Sequence, residues 1–172
     1  MENCSQLQPH MQVSHVSPYN FYKEYHTHPI NKFFHLIGIP CILLSSLLVL
    51  KSFYIVYDKP LLGVEAGKIG IGLNNVLVNC YTIYYFSYGF YPGFVMLLYF
   101  WLLNWLTYWL STNKKITSKQ TVQLFILSWV FQFLGHFIEG RKPALMDSIS
   151  QSFLGAPIFS LTPIIPSLKS YF

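Results

Sequence analysis

Charge is what this chain most conspicuously lacks. Only 10% of its 172 residues are Asp, Glu, Lys or Arg, where an ordinary soluble domain carries about 25%. A soluble globule must coat its surface with polar groups, so a soluble enzyme and a disordered chain are both excluded. The formal net charge of +5 does not indicate a nucleic-acid partner. Its lysines and arginines are scattered in ones and twos, and no basic patch accompanies a recognition motif. Cysteine is scarce too. Cys4, Cys41 and Cys80 cannot close a disulfide framework, and no CxxC pair suggests zinc. Cys41 and Cys80 lie in apolar runs and read as small core residues. Neither GxSxG nor HExxH occurs, so the usual hydrolase signals are missing. No repeat or low-complexity tract is present. The N-terminal stretch has no apolar run of the kind a cleavable signal peptide needs. Residues 1–18 read as a flexible polar tail in which His10 and His15 are solvated bystanders, and 19–172 as one domain.

What is abundant is apolar surface: 53% hydrophobic and 19% aromatic residues. Phe33 to Leu50 is free of charge and long enough to cross a hydrocarbon core. Pro40 within it reads as a kink, which membrane helices tolerate. A polar loop from Lys51 to Lys68 follows. No charge occurs from Ile69 to Asn113, a run too long for one helix and suited to two. The break belongs at Tyr88-Gly89-Phe90-Tyr91-Pro92-Gly93, where Gly and Pro punctuate the pattern amid interfacial aromatics. A polar turn from Ser111 to Lys119 leads to a fourth span, about Gln120 to Ile138. Pro143 then suits the first turn of a helix from Ala144 to Leu154. Further prolines at 157, 163 and 166 make the remainder a re-entrant or interfacial segment. The expected fold is an all-α integral membrane bundle of about four transmembrane helices with that C-terminal helix and segment. Asn74, Asn75, Asn79 and Asn104 are expected to bond across helices. Tyr81 to Tyr91 read as interfacial belt and packing.

Four spans bring the histidines together. His26, His28 and His35 lie at the mouth of span one, and His136 and Glu139 at the end of span four, on the same membrane face. With three or five spans this convergence fails. His28, Lys32 and His35 share one helix face, as do Gln132, His136 and Glu139; Asn31 lies one turn before His35. Imidazoles and a carboxylate at the edge of an apolar bundle are costly to leave unpaired. A metal ion would satisfy them, and this ligand type suits iron, zinc or copper better than magnesium or calcium. Amphipathic side chains with wet tips are the plainer explanation of interfacial histidines. Asp147 and Gln151, one turn apart, either orient a ligand or begin a solvated helix. Arg141 and Lys142 either hold a carboxylate or phosphate or are flanking positive charge. Basic residues number five on this face and six on the other, so charge does not set orientation.

Two blocks carry a family resemblance: FYKEYHTHPINKFFHLIGIP, from Phe21 to Pro40, and FQFLGHFIEGRKPALMDSISQSFLGAPIF, from Phe131 to Phe159. They resemble the signature blocks of the yeast-type 2-hydroxy-fatty-acid dioxygenases, small membrane proteins. The resemblance implies iron(II)-dependent cleavage of a 2-hydroxy long-chain fatty acid by O2, giving the acid one carbon shorter, in fatty acid alpha-oxidation of phytosphingosine-derived chains. It implies His26, His35 and His136 as metal ligands. His28 and Glu139 are further candidates, although the yeast-like pattern carries Asn where His28 stands. Asn31, Gln132, Arg141, Lys142, Asp147 and Gln151 are candidates for orienting ligands or meeting substrate. The implied partners are the acid, O2 and the lipid bilayer, with no nucleic acid. The implied location is the endoplasmic reticulum membrane in a eukaryote or the inner membrane in a bacterium. The rivals are a b-type haem protein, with two of the histidines as axial ligands, and a non-enzymatic membrane protein binding lipid headgroups.

Overall fold

The computed structural model describes residues 16–57 and 69–172. Most of the expected tail therefore lies outside the described residues, as does most of the loop before residue 69. Ser17 caps the first helix, α1 (Pro18–Glu24), accepting a hydrogen bond from the Asn20 amide at 3.3 Å, and Pro18 fills the first position. A short linker leads to α2 (Pro29–Leu50), which begins on a second proline and continues through Pro40. Two short strands, β1 (Tyr54–Tyr57) and β2 (Ile69–Gly72), pair antiparallel. Four longer helices follow: α3 (Leu73–Phe86), α4 (Phe90–Thr112), α5 (Ser118–Glu139) and α6 (Ile149–Leu161).

Three helices, α2, α4 and α5, are long and apolar enough to cross a membrane. The second expected span is shorter than its hydropathy suggested. Ile69 to Gly72 is strand, and α3 has 14 residues, ~21 Å at about 1.5 Å per residue. The chain nevertheless reverses three times between α2 and α5. Asn31 meets Glu139 while Gly38 faces Gln132, so α2 and α5 run antiparallel. Asn74 meets Asn104 while Tyr81 stacks on Phe100, so α3 and α4 do the same. The short α3 still returns the chain, which preserves the convergence expected of four passes.

The break falls between α3 and α4, at Gly89 with φ 124°, a conformation glycine adopts without a Cβ penalty. Asn74, Asn75 and Asn104 bond across the helices as expected, whereas Asn79 faces outward. Cys80 is also exposed and Cys41 half-buried, so neither is a core residue. The tyrosines pack. Tyr81 and Tyr85 donate to the carbonyls of Phe153 and Leu154 on α6, at 3.1 and 2.6 Å.

The C-terminal helix begins later than Pro143 suggested. Ala144–Met146 is a 3₁₀ turn, and the Ser148 side chain then caps α6 by accepting from Gln151 N. At 13 residues α6 is too short to cross a hydrocarbon core. It lies against α1 instead, where Gly155 lets it approach the Pro18 carbonyl and Tyr22. The outer surfaces of α4 and α5 stay apolar, with Trp101, Trp105, Ile126, Leu127 and Phe137 exposed. Such a surface is stable only against lipid. The molecule is an integral membrane protein.

A three-histidine centre at the head of an apolar cavity

His26, His35 and His136 converge and are buried. One ligand atom from each lies within 4.8 Å of the others. His26 comes from the α1–α2 linker, His35 from the second turn of α2, and His136 from the last turn of α5. The ring centroids are 4.2, 4.7 and 5.0 Å apart.

Two of the rings are held from behind by backbone carbonyls. The Nδ1 of His26 is 2.6 Å from the Tyr22 carbonyl, and that of His35 is 2.9 Å from the Asn31 carbonyl. A carbonyl only accepts, so both Nδ1 atoms carry the proton and both Nε2 atoms keep a lone pair. Fixing one ring nitrogen in this way is how proteins aim the other at a metal. The Nε2 of His26 is buried with no hydrogen-bond partner. Burial pushes the His26 imidazole down to about 4, so it is neutral at pH 7, as metal ligation requires. Three clustered imidazoles, one with an orphaned buried nitrogen, fit a transition-metal ion, which would offset the cost of burying them unpaired.

The other candidates take different places. His28 caps α2, its Nδ1 accepting from the Ile30 amide at 3.3 Å. Glu139 lies outside the three-histidine group. One of its oxygens accepts from Thr27 N at 2.7 Å, Thr27 Oγ1 at 2.6 Å and His28 N at 3.2 Å, and the other from Asn31 Nδ2 at 2.5 Å. Glu139 thus staples the linker carrying His26 to the end of α5. Asn31 joins both layers: its carbonyl holds His35, while its side-chain amide bonds Glu139 and lies 3.5 Å from His136 Nδ1. Gln132 donates to the Phe34 carbonyl at 3.1 Å.

Arg141, Lys142 and Asp147 lie at the rim. Arg141 donates to the Glu24 carbonyl at 2.7 Å. Lys142 pairs with Asp147 at 2.6 Å, and Asp147 also accepts from Tyr25 at 2.6 Å. Lys142 first, then Tyr25, holds the Asp147 carboxyl below its usual range. These contacts fasten the chain after α5 to α1. None of the three lines the cavity described next. Gln151 Oε1 is buried without a partner.

That cavity, of about 300 Å³, runs from His35 and His136 into the bundle between α2, α3, α5 and α6. Its walls are mainly Ile, Leu, Phe, Trp, Ala and Pro side chains, as in sites for apolar ligands. Tyr22 lines it and stacks on His26 at 4.1 Å. Burial pushes its phenol up. Sequence reasoning missed Tyr22 and the cavity wall on α2. The available signals were position: Tyr22 lies one helical turn before His26, and the wall residues repeat at helical spacing from His35.

Fold and site define an integral membrane helical bundle that closes three buried imidazoles over an apolar cavity. The family model described as "2-hydroxy-palmitic acid dioxygenase Mpo1-like" matches residues 13–168, and the chain belongs to this Mpo1-like family. It is 33% identical to 2-hydroxy-palmitic acid dioxygenase MPO1 of Saccharomyces cerevisiae over 144 residues, covering 83% of this chain and 75% of that protein. No solved structure matches the chain.

Proposed function

We propose that the protein is an iron(II)-dependent dioxygenase that cleaves a 2-hydroxy fatty acid to the acid one carbon shorter. The observation that carries this reading is the placement of three clustered imidazoles at the head of an apolar cavity, in a chain related to a 2-hydroxy-palmitic acid dioxygenase. The reaction balances without a further reductant. RCH(OH)COOH and O2 give RCOOH, CO2 and H2O; the bond between carbons one and two breaks, the hydroxyl carbon is oxidised to a carboxyl, and O2 is reduced.

His26, His35 and His136 would hold the iron. Bound there, iron supplies Lewis acidity toward the hydroxy acid and redox chemistry toward O2. The protein's own groups do the rest. The carbonyls of Tyr22 and Asn31 keep the imidazoles oriented, so no reorganisation accompanies binding. The cavity takes the acyl tail out of water, worth ~0.8 kcal/mol per methylene, and fixes the scissile bond at the centre. The Tyr22 hydroxyl is available as a donor to the polar head. Arg141 and Lys142 fasten the chain after α5 at the rim, through the Glu24 carbonyl and Asp147.

The test is elemental analysis of detergent-purified protein, wild type beside His35→Ala and His136→Ala, followed by an assay of 2-hydroxypalmitate cleavage under O2. Stoichiometric iron and cleavage in the wild type, both lost in folded variants, are expected. Folded wild type that retains no iron after anaerobic reconstitution, or variants with full turnover, would sink the assignment.

A further inference from the structure

The cavity is elongated along α2. Its wall there is His35, Ile39, Ile42, Leu43, Ser46 and Leu50, a spacing that keeps to one helix face. The stripe begins at the histidine centre and ends on the last residue of α2. From His35 to Leu50 is ~22 Å at about 1.5 Å per residue. Leu77 closes in at the same end, because α3 starts there: Leu73 N donates to the Phe53 carbonyl, just past α2, at 2.9 Å. In the half away from the centre, Ser46 is the small side chain of the α2 stripe, and it leaves the passage to Leu50 clear.

We infer that Ser46, Leu50 and Leu77 set the acyl chain length the site accepts, with the tail lying along the α2 stripe and its methyl end meeting Leu50 and Leu77. This rests on the reading of the centre as a 2-hydroxy acid site. A fully extended chain advances ~1.2 Å per bond, from about 3.5 Å per three backbone bonds. The stripe then holds a chain of about eighteen bonds, and a block at position 46 cuts this to about fourteen. Length selection follows because each methylene beyond the floor is denied burial, while each missing one leaves cavity unfilled.

The experiment offers the purified, iron-loaded protein a mixed ladder of straight-chain 2-hydroxy acids and reads each product by mass spectrometry. Binding of each acid is read separately, by thermal shift. Ser46→Phe is expected to keep wild-type iron content and to shift the length profile toward short acids. It should lose the longest acids by about two-hundredfold, the value of about four methylenes. Leu50→Ala, at the helix end where folding is least at risk, should shift the optimum to longer acids. Unchanged length profiles in both variants, in turnover and in thermal shift, would overturn the inference. Wild type that binds the acids with this length dependence but cleaves none overturns the dioxygenase reading and leaves the length inference standing. Wild type that binds none overturns both.

Discussion

Replacing Glu139 by Gln keeps the shape of the side chain and removes one acceptor. The carboxylate takes three hydrogen bonds on one oxygen, from Thr27 and His28, and one on the other, from Asn31. A glutamine that turns its oxygen toward Thr27 presents its NH2 to the Asn31 NH2, donor against donor. One that turns the other way forfeits all three linker bonds. Flipping the Asn31 amide restores that contact but turns its NH2 toward Gly135, where the Asn31 oxygen now packs. Either a donor on the fully buried Asn31 is stranded, at about 1–3 kcal/mol, or the linker loses its three bonds, of which the one from His28 N is part-buried. The Thr27 bonds are solvent-exposed and add little. The expected loss of stability is therefore about 2 kcal/mol. It falls on the segment that aims His26 and His35, so metal affinity should drop on the order of 10–100-fold. Competition against a chromophoric chelator measures the affinity, and thermal melting of the same detergent-solubilised sample measures the stability. Glu139→Gln protein with wild-type values in both would refute the staple.

Two further outcomes follow from the same geometry. In Gly135→Ala the new methyl would press on Asn31, whose Cγ and Cα lie 3.2 and 3.3 Å from its position. We expect a loss of about 1–3 kcal/mol from overpacking, accompanied by weaker metal binding. Gly140→Ala has open space but φ 71°; it should cost about 1–2 kcal/mol and leave metal binding intact. Equal metal affinities in the two variants would argue against a helix contact specific to the centre. His26 titrates near 6.5 when unfolded and at about 4 when folded. The folded metal-free protein thus binds fewer protons in that window, and its stability falls as pH drops from about 6.5 to about 4, by at most about 3 kcal/mol. Denaturation of metal-free protein across this range should show the slope, and His26→Gln should lessen it, the other two buried imidazoles keeping the rest; an unchanged slope would assign the effect elsewhere.

The long spans and the break at Gly89 were legible because hydropathy and glycine act locally. The three-histidine cluster was legible in part, because His35 and His136 sit at helix ends whose direction the span count fixes. His28 and Glu139 were not separable from the three clustered histidines by spacing. What distinguishes them is a backbone amide beside each: His28 Nδ1 faces Ile30 N, and Glu139 faces Thr27 N. Ile69 to Gly72 was read as helix because an apolar run without charge suits a strand equally well. The start of α6 was missed because Pro143 also begins a 3₁₀ turn, and the Ser148 cap decides where the α-helix starts.

One wall of the bundle is shorter than the rest. With 14 residues α3 spans ~21 Å, against ~30 Å for an average hydrocarbon core. Its outward stripe of Val76, Ile83 and Phe86 is exposed. Lipid beside that stripe must thin to match it, at a fraction of a kcal/mol per Å. The taller faces of α4 and α5 impose no such strain. The protein is therefore expected to fit thin membranes better than thick ones, which reconstitution in bilayers of graded acyl length would read. The dip lies along the same helix whose Leu77 lines the cavity.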